Sequence, residues 1–400
     1  MKFVHMADCH IGGWRDPKLR DISSHAFIKT IDFCIREKVD FVLIAGDLFN
    51  TSLPGIERLK IVTEKLKQLH DSGIACYVIP GSHDFSPSGK TMLDVLESAG
   101  LFVNVARGKI VHEKLALEFT IDPKTHVKIT GMIGKKGGLE KKYYPHLDKE
   151  KLESEKGEKI FMFHSSITEM KPKDLKEMDS EPVSILPRGF NYYAGGHVHI
   201  VEKYSDKDYP AVIYPGPLFP NNISELEKLH CGGFYFIENW NLKYIPLEIF
   251  QTFHVNLEVK DKSANEVTEM LEKEIQHKKL NNAIVTIRLQ GKLSKGKQSD
   301  VDFKKIFSLC YAAGAYFVMK NTAKLESVEF EAVMINQNSV EDIEETLIQE
   351  HAGQQTLFKE RMGIVKDLMK VFSQEKDEGE RSFDFERRIF DEAEKVVKGN

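Results

Sequence analysis

An α/β fold is what this chain of 400 residues predicts: a parallel sheet with a second, more mixed sheet packed on it. Three observations carry that reading. Aliphatic runs without polar interruption, the clearest being Phe41-Val42-Leu43-Ile44-Ala45, read as strands buried on both faces. Between such runs lie stretches of helical periodicity, and βαβαβ alternation implies parallel strands. Finally, five strand-like runs end in Asp or His, at the carboxyl edge where open α/β sheets bind ligands.

The elements follow in order. Residues 2–7 form a strand ending in Asp8-Cys9-His10, and Ile31, Phe33, Cys34 and Ile35 mark the helix after it. The next strand ends in Gly46-Asp47. Leu59, Val62, Leu66 and Leu69 then recur at helical spacing up to the Gly73 stop. Residues 75–80 lead into Gly81-Ser82-His83-Asp84, and a third helix runs through Met92, Leu93, Val95 and Leu96 to Gly100. From 109 to 250 the strands are shorter and closer, with one helix expected inside 149–156, and this half reads as the second sheet. Two of its strands end in His164-Ser165-Ser166 and in Gly195-Gly196-His197-Val198-His199.

Near residue 251 the pattern resets. Residues 253–259, 283–289 and 315–319 are strand-like, 264–277 and 301–312 helical, and 291–299 loop-like. The chain therefore divides into 1–250, a compact α+β unit at 251–323, and a helical region at 324–400. In the last, Leu357, Phe358, Met362, Ile364, Val365, Leu368, Met369, Val371 and Phe372 make one apolar stripe. A second helix after Glu378-Gly379-Glu380 carries Phe385, Ile389, Phe390, Ala393, Val396 and Val397, so the two predict a helical hairpin.

Composition narrows the class. Cys9, Cys34, Cys76, Cys231 and Cys310 are scattered and in no C-x-x-C pair, which argues against a zinc ribbon or a disulfide framework and suits a reducing compartment. No apolar run approaches a membrane span, so a cytoplasmic protein is expected. The net charge is −5, but residues 321–400 hold 11 Lys and Arg against 19 Asp and Glu, leaving 45 against 42 elsewhere. The acidic excess belongs to the tail and does not repel an anionic substrate from the rest.

Asp and His together make a mixed oxygen and nitrogen donor set, which suits Mn²⁺, Fe²⁺ or Zn²⁺ better than Ca²⁺. Two such ions clamp an in-line displacement at phosphorus and acidify bound water. Asp47, on the central strand, is the natural bridge between them. Asp8, His10 and His199 would complete one ion, and His164 and His197 the other. Alternation in His197-x-His199, if extended, aims the two rings differently. His83 is assigned to proton transfer rather than ligation, with Asp84 orienting its ring or capping the next helix. His5, His25, His70, His230 and His254 are read as core or surface histidines.

In this order and spacing, D-x-H, G-D, G-x-H-D, a lone His and G-H-x-H resemble the motifs of the calcineurin-like metallophosphoesterases, over roughly residues 1–220. Gly46-Asp47-Leu48-Phe49, and Asp94-Val95-Leu96-Glu97 with Ala99-Gly100-Leu101, resemble more narrowly the meiotic-recombination-eleven/SbcD DNA-repair nucleases. That resemblance implies a two-sheet α/β/α sandwich, a DNA-capping unit at 251–323 and an ATPase-binding tail. It implies a Mn²⁺-dependent exonuclease and single-strand endonuclease in double-strand-break repair, dimeric and partnered by an SbcC-like coiled-coil ATPase. It carries Asp8, His10, Asp47, His164, His197 and His199 over as ligands of two Mn²⁺ ions and His83 as the catalytic histidine. The family usually has Asn at Ser82, so Ser82 is the candidate ligand there, a shorter neutral oxygen that would ligate directly, through water or not at all. Many relatives have a second active-site His at Asn50.

Lys135, Lys136, Lys141 and Lys142, and Lys292, Lys295 and Lys297, read as flexible basic loops bordering a DNA path. The apolar faces of Leu59, Val62 and Leu66 and of Leu93 and Leu96 are the candidates for a dimer surface or for core. Two rival functions are a phosphoesterase for non-DNA substrates and a DNA-end-binding scaffold with weak catalysis.

Overall fold

A computed structural model of the chain describes residues 1–86, 89, 91–172, 178–327, 362–374, 376 and 382–398. They form two compact units. The first takes Met1–His254, Leu280–Thr286 and Gly314–Met319, and the second takes Val255–Lys279, Ile287–Ala313 and the described residues from Lys320 onward.

In the first unit β1 (Lys2–Met6), α1 (Pro17–Glu37), β2 (Phe41–Ala45), α2 (Ile56–Asp71), β3 (Ala75–Ile79), α3 (Met92–Ser98) and β4 (Val103–Asn104) follow one another. Strands β1 to β4 are parallel neighbours in sequence order, as the alternation predicts. Asp16 caps α1 by accepting from the Lys18 amide, and Pro17 stands at the first helical position, where its missing N–H costs nothing. A hairpin of β5 (Gly108–Val111) and β6 (Lys114–Leu117) leads to the second sheet.

That sheet is built from β7 (Thr120–Ile121), β8 (Lys128–Gly131), β9 (Lys159–His164), β10 (Tyr192–Gly196), β11 (Val201–Tyr204) and β12 (Val212–Pro215), in the order β11-β12-β10-β9-β8-β7. Helix α4 (Lys149–Ser154) precedes β9, and α5 (Ile223–Leu229) follows β12. The central strands are parallel and β7 and β11 are antiparallel edges, so the sheet is mixed.

One expectation fails here. Residues up to 250 were assigned to the second sheet, but β13 (Gly232–Glu238) and β14 (Asn241–Leu247) return to the first. They add antiparallel to β1 and give the order β14-β13-β1-β2-β3-β4. The reason is the open ladder of β1, whose edge β13 closes.

Strand alternation sorts the core into layers. Phe41, Leu43 and Ala45 of β2 point between the sheets, against Ile129, Ile160, Met162 and Ala194 of the second. Val42 and Ile44 point the other way, into Phe27, Ile31, Leu66 and Leu69 of the covering helices. Beyond the second sheet, Phe161, Phe163 and Tyr214 pack on Tyr144, Leu147 and Leu152. The fold is thus the mixed α/β sandwich that the sequence predicts.

Val62, Leu66, Leu93 and Leu96 are buried, and Leu59 packs against the same core, so these faces are core and not a dimer surface. What those segments do expose is Leu53, Ile56 and Val95.

The second unit holds α6 (Ala264–Ile275) and α7 (Phe303–Ala312), and a third sheet has the order β15 (Gln251–Ser263), β16 (Ala283–Lys295), β17 (Phe317–Glu326). Ser263 and Glu266 form a capping box at the start of α6. Strand β16 runs on through Gly291 to Lys295, so Lys292 and Lys295 stand on a strand rather than in the loop expected at 291–299. In the tail, α8 (Met362–Phe372) and α9 (Ser382–Lys398) pair as a hairpin; Arg388 donates to Gln374, which donates to Glu392. Leu357 and Phe358 of the predicted stripe lie outside the described residues. No helix among the described residues is long and apolar enough to cross a membrane.

Candidate metal centre

Strands β1, β2, β3, β9 and β10 deliver their terminal Asp and His residues to one edge of the two sheets. The backbone there is unusual. Asp8 (φ 49°), His10 (φ 40°), Asp47 (φ 52°), His197 (φ 103°) and His199 (φ 55°) all lie in the left-handed region. Each such residue costs roughly 1–3 kcal/mol and persists only where its surroundings hold it. Glycines make the close approach possible: a Cβ on Gly46 would run into the His164 ring, and one on Gly81 into Asp47.

Three overlapping groups result, each with ligand atoms within 4.8 Å of one another: Asp8, His10 and His199; His10, Asp47 and His83; and Asp8, Asp47 and His164. Asp47 Oδ2 lies 3.1 Å from His164 Nε2 and 3.6 Å from His10 Nε2. Its carboxylate also accepts from the His83 amide at 2.7 Å and from the Ser82 hydroxyl at 3.4 Å. His10 Nε2 and His199 Nε2 face each other at 2.9 Å, with Asp8 Oδ1 3.8 Å from the latter. Imidazole nitrogens and carboxylate oxygens aimed at common points form a donor set that fits divalent transition metals.

The family model for calcineurin-like phosphoesterases matches residues 1–201. The chain belongs to that family. It is 27% identical over 363 residues to the DNA double-strand break repair protein Mre11 of Archaeoglobus fulgidus, covering 85% of this chain and 77% of that protein. To the DNA double-strand break repair protein Mre11 of Methanococcus maripaludis it is 32% identical over 249 residues, 59% of this chain and 62% of the relative. To the uncharacterized metallophosphoesterase YhaO of Bacillus subtilis it is 26% identical over 281 residues, 67% and 64% of the two chains.

Two site expectations are corrected in this calcineurin-like phosphoesterase. Asp84 does not orient His83, nor does it cap a helix. It is buried and accepts from the amides of Leu48 (3.1 Å), Phe49 (3.0 Å) and Gly81 (3.1 Å), so it fixes the turn that carries Asp47. Burial, and then the Asp47 charge, push its carboxyl up to about 6. His83 is held instead by its own Nδ1, 2.9 Å from the Asn50 carbonyl oxygen, which requires the proton on Nδ1 and leaves Nε2 to exchange one. His197-x-His199 is not extended; both residues lie beyond β10 on left-handed backbone. The rings still diverge, His199 to His10 and His197 to His164, whose ring centre is 5.1 Å away. His197 joins none of the three groups, though its amide donates to Asp8 at 3.0 Å.

Glu225 is the site residue that sequence reading misses. From α5 its Oε1 lies 2.9 Å from His199 Nδ1, while Oε2 accepts from the Asn221 amide at 2.8 Å. A carboxylate on the far nitrogen fixes the tautomer and turns Nε2 inward as a donor. Glu225→Gln is expected to weaken divalent-ion binding about 10- to 100-fold, measured by titration calorimetry; unchanged affinity would remove Glu225 from the site.

Electrostatics add a pH dependence. Burial opposes charge on His164, but Asp47 outweighs it and raises the imidazole to about 10. Burial likewise opposes charge on His199, and Asp8 and Glu225 raise it to about 9. His197 goes the other way, kept neutral by burial and by His164 at about 3. Without ions, His164 and His199 therefore carry protons at neutral pH that an entering cation displaces. Ion binding should release protons and tighten as pH rises from neutral toward about 9 and about 10, where His199 and His164 lose their protons unaided. Calorimetry in buffers of different ionisation enthalpy measures both, and pH-independent binding would contradict it.

His5 is a core histidine, with Nδ1 2.9 Å from the Tyr192 hydroxyl. Lys135 and its neighbours lead into turns rather than an irregular loop. Residues Lys136–His146 form 3₁₀ turns, and the buried Glu140 accepts from the Lys135 amide (3.1 Å) and the Ser165 hydroxyl (2.9 Å).

Proposed function

We propose that this calcineurin-like phosphoesterase is a DNA nuclease of double-strand-break repair. It acts as an exonuclease on ends and an endonuclease on single strands. The observation that carries this reading is the reach of the likeness to a protein named for DNA double-strand break repair: 85% of the chain, well beyond the phosphoesterase match at residues 1–201. A phosphoesterase for small substrates gives no reason for similarity over the α+β unit.

In this reading Asp8, His10 and His199 would hold one Mn²⁺, and His164, His197 and Ser82 would hold the other, with the Asp47 carboxylate available to both. When bound, such ions neutralise phosphate charge and lower the pKa of water. His83, its Nδ1 engaged by Asn50, exchanges a proton at the phosphate or leaving oxygen through Nε2. The protein works as a homodimer, for which Leu53, Ile56 and Val95 are among the exposed apolar residues, and with an SbcC-like coiled-coil ATPase. Phe372, Phe390 and Val397 are exposed apolar residues of the tail hairpin, the kind a partner helix covers. Truncation after residue 340 should abolish co-purification with the ATPase and leave Mn²⁺-dependent cleavage intact; retained co-purification would sink that assignment.

The direct test is cleavage of end-labelled duplex and single-stranded DNA with and without Mn²⁺, by wild type and Ser82→Asn. Mn²⁺-dependent cleavage, quickened in the Asn variant, is expected. Hydrolysis of nitrophenyl phosphate monoesters with no DNA cleavage would instead favour the non-DNA phosphoesterase.

A further inference from the structure

Beside the metal centre stands a cluster that ligation does not use. Lys135 Nζ lies 4.5 Å from the centre of the Tyr143 ring and 5.2 Å from that of Phe85, and donates to the Tyr143 hydroxyl at 2.6 Å. Both walls are fixed to the site. Phe85 follows His83-Asp84, and Asp84 is tied by three backbone amides. Lys135 follows Gly134, which packs so closely that a Cβ there would sit 2.5 Å from His164 Cδ2. The Gly134 amide donates to the Pro80 carbonyl at 2.8 Å, and Glu140 binds the Tyr143 segment to Ser165, next to His164. The cluster is therefore in register with residues from two of the five ligand-bearing strand ends.

The chemistry of the cluster is specific. Tyr143 is 39% exposed although it is a large aromatic with its hydroxyl already bonded. Next to it a mainly apolar cavity of about 520 Å³ is lined by Ile110, Leu115, Met132, Lys135 and Tyr143, and also by Glu113 and His146. A flat apolar wall carrying one ammonium suits a ligand with a π-face and an adjoining anion, which is a nucleotide unit. We propose that Phe85, Lys135 and Tyr143 form a nucleotide subsite. The base flanking the scissile phosphodiester packs on the rings, and the Lys135 ammonium leaves them to pair with the neighbouring phosphate. This rests on the DNA nuclease reading and adds to it that the enzyme grips an unstacked base, so a single strand or a frayed end is the form it engages.

The experiment compares kcat/KM on a single-stranded oligonucleotide and on the same oligonucleotide with an abasic residue on either side of the cleavage position, with bis(nitrophenyl) phosphate as a general phosphodiester substrate. Removing the base should slow the wild type about 10-fold. Tyr143→Ala should lower the ratio of kcat/KM on the intact to that on the abasic oligonucleotide by a similar factor, and so become indifferent to the abasic residue. Tyr143→Phe, which keeps the ring, should restore both. A wild type indifferent to the abasic residue, or a Tyr143→Ala slowed equally on every substrate, overturns the subsite. Hydrolysis of the nitrophenyl diester with no cleavage of any oligonucleotide overturns the nuclease reading itself, a distinguishable result.

Discussion

Asp47→Asn is expected to abolish cleavage, with kcat/KM lowered about a thousandfold or more, and to reduce the stoichiometry of divalent-ion binding. Asp47 belongs to two of the three ligand groups, and its oxygens face His164, His10, the His83 amide and Ser82 at once. The Asn side chain is nearly isosteric but neutral, and its amide nitrogen turns a donor toward one of those partners. His164, charged largely because Asp47 faces it, should then lose its proton more readily. Circular dichroism and melting separate loss of the site from loss of fold. A folded Asp47→Asn that still binds two ions would show that Asp47 is no bridge.

His83→Ala is the second large effect, and it should differ in kind. Its ring is more open than the others, held through Nδ1 by the Asn50 carbonyl and lying edge-on to His10 at 4.7 Å. If its role is proton exchange at the phosphate, cleavage falls about 10²- to 10⁴-fold while ion stoichiometry and DNA affinity stay as in the wild type. Because His83 also shares a group with His10 and Asp47, ligation is the competing role. Loss of one bound ion in the alanine variant would decide for it. Unimpaired cleavage would remove His83 from the chemistry.

Much of this was legible in the sequence because its signal is local. The uninterrupted aliphatic run of β2 announces burial on both faces, and the position of Asp or His at each strand end needs only the strand's length. What the sequence hides is what depends on remote pairing. Nothing in the polar seven-residue helix α5 points Glu225 at a histidine 26 positions earlier. Asp84 lies next to His83, and adjacency suggested a partnership that the backbone amides of Leu48 and Phe49 claim instead. The stretch Gly291-Lys292 has loop composition, yet ladder pairing carries β16 through it, overriding propensity. The left-handed backbone of the five site residues is invisible too, since Asp and His give no warning of it in sequence.

The return of β13 and β14 to the first sheet bears on any attempt to isolate the enzyme's minimal part. A fragment stopped at residue 201, where the family match ends, would strip the partner from β1 and take away Glu225 as well. The cut would leave a bare, adhesive strand at the heart of the sheet. The smallest fragment worth expressing therefore runs through Met319, since Leu280–Thr286 and Gly314–Met319 belong to the same compact unit and bring Ile284 and Met319 into its core, although these residues lie outside the matched region.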